Sequence, residues 1–167
     1  MTDLVIIEGS DCSGKTTLIS QLSKLLNYQV IKGSSFELST CTNEQLFKKF
    51  SEMTKLQNTI FDRFIYSNAV YAPLYKDFAL LSDEQRKEIE LEIKDRAIVI
   101  YMEAELETLT QRLQARGDDY VTVDKLSSIK EKYQEVMGKV SLKTLRFNTT
   151  YKSTDEIVAA ILHELKN

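Results

Sequence analysis

The segment Gly9-Ser10-Asp11-Cys12-Ser13-Gly14-Lys15-Thr16 fits the spacing G-x-x-x-x-G-K-S/T. It follows the β-branched run Val5-Ile6-Ile7 and opens a stretch with Leu18, Leu22, Leu25 and Leu26 on one helical face. Strand, glycine loop and helix in that order commit the chain to an α/β unit. The two glycines let the backbone curl, so that the N–H groups of residues 9–17 point inward at phosphate oxygens. The helix start adds its own donors and dipole. Lys15 supplies a point charge to the β- and γ-phosphates, and the Thr16 hydroxyl suits Mg²⁺. Gly9, Ser10, Asp11, Cys12, Ser13, Gly14, Lys15, Thr16 and Thr17 therefore form the expected cradle, with ATP and Mg²⁺ as the expected cofactors.

The rest of the chain continues the alternation. Strands are expected at 4–8, 28–32, 58–61, 97–102 and 143–147, with helices at 15–27, 42–55, 63–80, 82–96, 106–116, 124–139 and 153 onward. Thr42-x-x-Gln45, Ser82-x-x-Gln85 and Ser153-x-x-Glu156 each read as a capping box. The run 83–96 is polar on most sides and reads as a solvated helix. The expected fold is a P-loop three-layer α/β domain spanning 1–167, with a mainly parallel five-stranded sheet and a short helical lid at about 112–122.

Composition narrows the function. The longest apolar run is 97–102, far below the roughly 20 residues of a membrane span. Two Cys and one His exclude a disulfide framework and an ordinary zinc site, so a reducing cytoplasm is the expected setting. A net charge of −3 argues against coating nucleic acid. A small nucleotide partner needs only a few cations in one place. Cys12, Cys41 and His163 carry no evident chemistry, and Glu103 is a weaker candidate for ordering a metal-bound water.

A GTP-binding switch would carry D-x-x-G after its third strand and an N-K-x-D motif, and neither is present. A small kinase remains. Arg63, Ser67 and Tyr71 recur every four residues with Asn68 beside Tyr71, and Arg63 stands just past a strand's C-terminal end, where open α/β sheets bind ligands. A guanidinium there can grip a monophosphate with two N–H groups. Arg112 and Arg116 stand one helical turn apart before Gly117-Asp118-Asp119, a candidate lid able to neutralise charge on a transferring phosphoryl group.

Glu8-Gly9-x-Asp11-x-x-Gly14-Lys15-Thr16-Thr17 resembles the start of thymidylate kinases. Asp62-Arg63-Phe64-Ile65-Tyr66-Ser67-Asn68-Ala69-Val70-Tyr71-Ala72 looks like their second motif. Ile100-Tyr101-Met102-Glu103 and Arg112-Leu113-x-x-Arg116-Gly117-Asp118 are similar to their fourth strand and arginine-bearing lid. The resemblance implies transfer of the ATP γ-phosphate to a deoxynucleoside monophosphate, dTMP-like or a modified pyrimidine. It also implies that Asn68 meets the pyrimidine edge, Tyr71 crowds the 2′-position, Asp11 reaches the acceptor sugar or a metal-bound water, and the chain forms a homodimer. Position 12 is Cys where some thymidylate kinases carry Arg, which makes lid cations more necessary.

The chain departs from that pattern around the acceptor. Lys32-Gly33-Ser34-Ser35-Phe36-Glu37 stands where R-E-P-G is usual, and the arginine-bearing stacking helix is absent. Phe36, Phe47, Lys48 and Phe50 are the candidates to replace it. The rival reading is a deoxynucleoside kinase, whose E-R-S motif Asp62-Arg63-Phe64 partly echoes. Such an enzyme needs a carboxylate base at the end of the second strand, where Lys32 stands and only Glu37 lies nearby. A nucleotide-binding regulatory protein without acceptor turnover is the non-enzymatic alternative.

Overall fold

Strand β1 (Leu4–Glu8) is fully buried, and its side chains alternate between two cores. Val5 and Ile7 meet α1 (Lys15–Leu26) and α7 (Thr154–Lys166) through Leu18, Leu22, Ile157 and Ile161. Leu4 and Ile6 face the opposite layer, built from α2 (Asn43–Met53), α3 (Ile65–Tyr71), α4 (Asp83–Ile93) and α6 (Val123–Met137). Glu8 continues the Leu4/Ile6 register and carries a carboxylate into that second core.

The structure, a computed structural model, describes residues 1–34, 40–117 and 122–167. With β2 (Gln29–Ile31), β3 (Thr59–Asp62), β4 (Ala97–Glu103) and β5 (Thr144–Asn148), β1 forms a parallel sheet in the order β2-β3-β1-β4-β5. Helices cover both faces. This is the P-loop three-layer α/β fold expected from the alternating pattern. The order reverses at β1, so the crevice beyond its carboxyl end is the place for a ligand. Helix α5 (Leu106–Arg116) follows β4 and overlooks that crevice. Among the described residues no helix is long and apolar enough to cross a membrane.

All three capping boxes form as read, at Thr42/Gln45, Ser82/Gln85 and Ser153/Glu156. Two expectations need correction. The helix read over 63–80 is only α3, followed by a 3-10 turn at Ala72–Leu74. Arg63 has φ of 64°, outside helical geometry, and Pro73 lacks the N–H and the clearance a continuing helix requires. The stretch 83–96 is also not merely a solvated helix. Ile89, Glu90 and Ile93 are buried, and Glu90 accepts hydrogen bonds from Tyr66 and Ser141.

Candidate active site

The loop after β1 lines a cavity of about 880 Å³, together with Asp62, Arg63, Arg112 and Arg116. That volume lies in the range of small-molecule pockets. Gly9 is required by close packing. A Cβ there would stand 2.4 Å from the Met102 carbonyl oxygen and 2.6 Å from Ser13 Oγ. Gly14 takes a left-handed φ of 94° as it caps α1, and Cys12 is also left-handed at 64°. Lys15 Nζ donates to the Ser10 carbonyl at 3.1 Å. Burial, and behind it the Arg63 charge, pull the Lys15 ammonium down to about 8. Ser13 Oγ is buried without a partner.

The Arg63 backbone is left-handed, and its Nη2 reaches Asp11 Oδ1 at 3.2 Å, Tyr71 Oη at 3.1 Å and the Gly9 carbonyl at 3.4 Å. Its guanidinium carbon lies 4.7 Å from the Tyr71 ring centroid. Burial opposes the charge, but the oxygens of Tyr133, Tyr71, Asp11 and Glu8 outweigh it and raise the pKa. Arg63 Nε is buried and unpartnered. Gly33 makes room for this turn, because a Cβ there would meet the Arg63 carbonyl oxygen at 2.2 Å.

Arg112 Nη1 donates to the Cys12 carbonyl at 2.9 Å and to Thr149 Oγ1 at 2.8 Å, while Nη2 reaches the Thr149 carbonyl at 3.0 Å. It braces α5 against the phosphate loop and the segment after β5. Arg116 Nη1 lies 3.3 Å from Cys12 Sγ. Among the described residues, five cations (Lys15, Arg63, Arg112, Arg116 and Lys152) thus border one cavity. Thr16, Asp11 and Asp62 line it too, and their hard oxygen donors fit Mg²⁺. Among the described residues no group of three or more metal-ligating side chains forms.

Ser67 and Asn68 are placed differently from the ridge read in the sequence. Arg63 precedes the helix rather than starting a ridge on it. Ser67 is wholly buried and donates to Glu8 Oε2. The Asn68 amide donates to the Ala79 carbonyl at 2.8 Å and accepts from Leu81 N at 2.9 Å. Both ends of its side chain hold the 79–81 segment. Asn68→Ala is therefore expected to cost about 1–3 kcal/mol of stability, since it orphans buried backbone groups. Chemical denaturation checks the loss, and the acceptor KM in the folded variant is expected to stay within about twofold. Phe36 and Glu37 lie outside the described residues, as does 118–121 of the expected lid.

Two contributors escaped the sequence reading. Thr149 and Lys152 line the cavity from the turn after β5. Their signal was only position, beyond a strand's carboxyl end. Glu8 was read as part of a motif with no task assigned. Its Oε1 accepts from Phe64 N at 2.7 Å and Ser67 N at 3.2 Å, and Oε2 accepts from Ser67 Oγ and from Tyr133 Oη at 3.1 Å. Burial pushes this carboxyl up despite those bonds.

The deoxynucleoside kinase family model matches residues 28–165. The SPbeta prophage-derived protein YorR of Bacillus subtilis (strain 168) is 44% identical over 159 residues, covering 95% of this chain and 96% of YorR. The crystal structure of YorR in complex with phosphorylated GDP superposes with a TM-score of 0.94 at 43% identity, covering 98% of this chain and 95% of that one. Two more distant structures share the fold. Deoxyadenosine kinase from M. mycoides with products dCMP and dCDP has a TM-score of 0.63 at 17% identity, covering 98% of each chain. Thymidylate kinase from Candida albicans has a TM-score of 0.59 at 19% identity, covering 99% of this chain and 91% of that one.

Proposed function

The chain belongs to the deoxynucleoside kinase family, and from that premise we propose that it phosphorylates a deoxynucleoside monophosphate to the diphosphate, with ATP as donor. Phosphotransfer from a nucleotide to a nucleoside or nucleotide is the coarser property the family carries. The monophosphate acceptor is the finer reading. One observation supports it best: Arg63 lines the same cavity as Lys15 with a half-buried guanidinium whose Nε is enclosed and without a hydrogen-bond partner. That arrangement offers a second anion-binding point next to the donor's.

In this reading the phosphate loop and Lys15 hold the donor phosphates. Arg63 releases Asp11 to grip the acceptor phosphate and sets its oxygen in line with the γ-phosphorus. The P–O bond to the departing ADP breaks as the new one forms, and no side chain need remove a proton, because the acceptor is already anionic. Arg112 and Arg116 border the path of the transferring group and offset its charge. Thr16 would hold Mg²⁺, which would offset charge on the donor phosphates. Tyr71, packed on Arg63, is the residue we assign to crowd a 2′-hydroxyl.

The family match favours a second reading, a nucleoside acceptor. That reaction needs a base for a sugar hydroxyl. Glu8 has both oxygens engaged in the core, so Asp62 at the end of β3 would be the described candidate. An ADP-release screen separates the readings, run over deoxynucleosides and their monophosphates. Guanine compounds belong in it as donor and acceptor, since YorR was crystallised with phosphorylated GDP. Turnover is expected with monophosphates. Turnover with nucleosides alone would shift the assignment to the second reading, and nucleotide binding without turnover would point to a regulatory protein.

A further inference from the structure

We infer that Glu8 is a positioning residue: reaching across from β1, it caps the helix after Arg63 and so fixes the turn that aims the guanidinium at the phosphate track. The inference rests on the reading of Arg63 as the acceptor's anchor.

Helix α3 begins without a cap of its own. Its N-cap residue is Phe64, which has no side-chain oxygen to offer. The N–H groups of Phe64 and Ser67 are buried at the carboxyl end of the sheet, where an unmet donor is costly. Glu8 Oε1 accepts both, at 2.7 and 3.2 Å. It does from another strand what a capping residue does locally, with a carboxylate at the positive end of the helix. The other oxygen is held by Ser67 on α3 and Tyr133 on α6.

The held turn is otherwise unfavourable. A left-handed Arg has no steric excuse, and such residues persist only where their surroundings over-determine them. Three contacts do so here. Arg63 N donates to the Ile7 carbonyl at 2.9 Å, Gly33 allows the Arg63 carbonyl to approach, and Glu8 clamps the next residue. Ile7 and Glu8 immediately precede the phosphate loop. Donor loop and acceptor arginine are thereby built off one strand end, and their spacing is set by Glu8. Its parity with Leu4 and Ile6 puts it there.

The test compares Glu8→Ala with Glu8→Gln, which keeps an oxygen for the two N–H groups. Glu8→Ala is expected to lower acceptor kcat/KM by about 10²-fold, the scale of an ångström-level misplacement, with donor KM within about threefold. Glu8→Gln is expected to recover most of that loss. Amide exchange at Phe64 and Ser67 is expected to quicken in Glu8→Ala and not in Glu8→Gln. Should Glu8→Ala fail to fold, Tyr133→Phe decides, with an expected acceptor-specific loss of about fivefold from one missing hydrogen bond. Equal loss for donor and acceptor, or unchanged kinetics in a folded variant, overturns the inference. If the wild type turns over no acceptor, the reading of Arg63 fails. Amide exchange then judges the cap alone, and unchanged exchange in Glu8→Ala overturns it.

Discussion

Lys15→Ala is expected to lower kcat by roughly 10²- to 10³-fold or more, the scale of losing one preorganised group that stabilises transition-state charge. The ammonium sits in the curl of the phosphate loop, 3.1 Å from the Ser10 carbonyl, with α1 beginning at the same residue. Removing it leaves the loop's backbone donors in place, so residual nucleotide binding and an intact fold are expected. Steady-state kinetics with thermal unfolding as control check both. Because burial and Arg63 bring this group down to about 8, its charge is lost as pH rises through that value. Donor phosphates favour the protonated form and pull the pKa back up. Donor affinity therefore falls as pH rises through about 8, and binding at pH 8 takes up a proton. Calorimetry in two buffers of different ionisation enthalpy reads this uptake, which Lys15→Ala abolishes. No uptake in the wild type would contradict the assigned burial.

Arg63→Ala is expected to lower acceptor kcat/KM by about 30- to several-thousand-fold, the cost of truncating one partner of a hydrogen-bonded charge pair that the bound acceptor phosphate would complete and close from solvent. Donor KM is expected to change far less. Arg63→Lys is not expected to rescue it. An ammonium cannot present two parallel N–H groups, and the stacking over Tyr71 is lost with the planar guanidinium. Arg63 also holds Asp11 at 3.2 Å, so its removal frees a carboxylate beside incoming phosphates. That repulsion adds to the loss. Equal effects on donor and acceptor would mean that Arg63 serves the whole phosphate track and not one end of it.

Much of the fold was legible because local rules and tertiary demands agree. β1 is apolar on both sides because both faces of the sheet are covered, and the three capping boxes mark helix starts that survive in the structure. The phosphate loop needs only its own backbone, so eight consecutive residues announce it. The acceptor side obeys another logic. Arg63 looks like the start of a helix in sequence, yet a strand end, Gly33 and Glu8 hold it left-handed. No window along the chain contains that relation. Asn68 likewise reads as a free amide beside Tyr71, and only the return of 79–81 shows where its hydrogen bonds go. Pro73 was a visible stop that the apolar spacing of the surrounding residues obscured.

The central claim is that Arg63 anchors an acceptor already carrying a phosphate. Mass spectrometry of products from an equimolar mixture of one deoxynucleoside and its monophosphate, incubated with Mg-ATP, tests it most directly. The account predicts conversion of the monophosphate to the diphosphate while the nucleoside is left untouched. Consumption of the nucleoside with the added monophosphate left intact would contradict it.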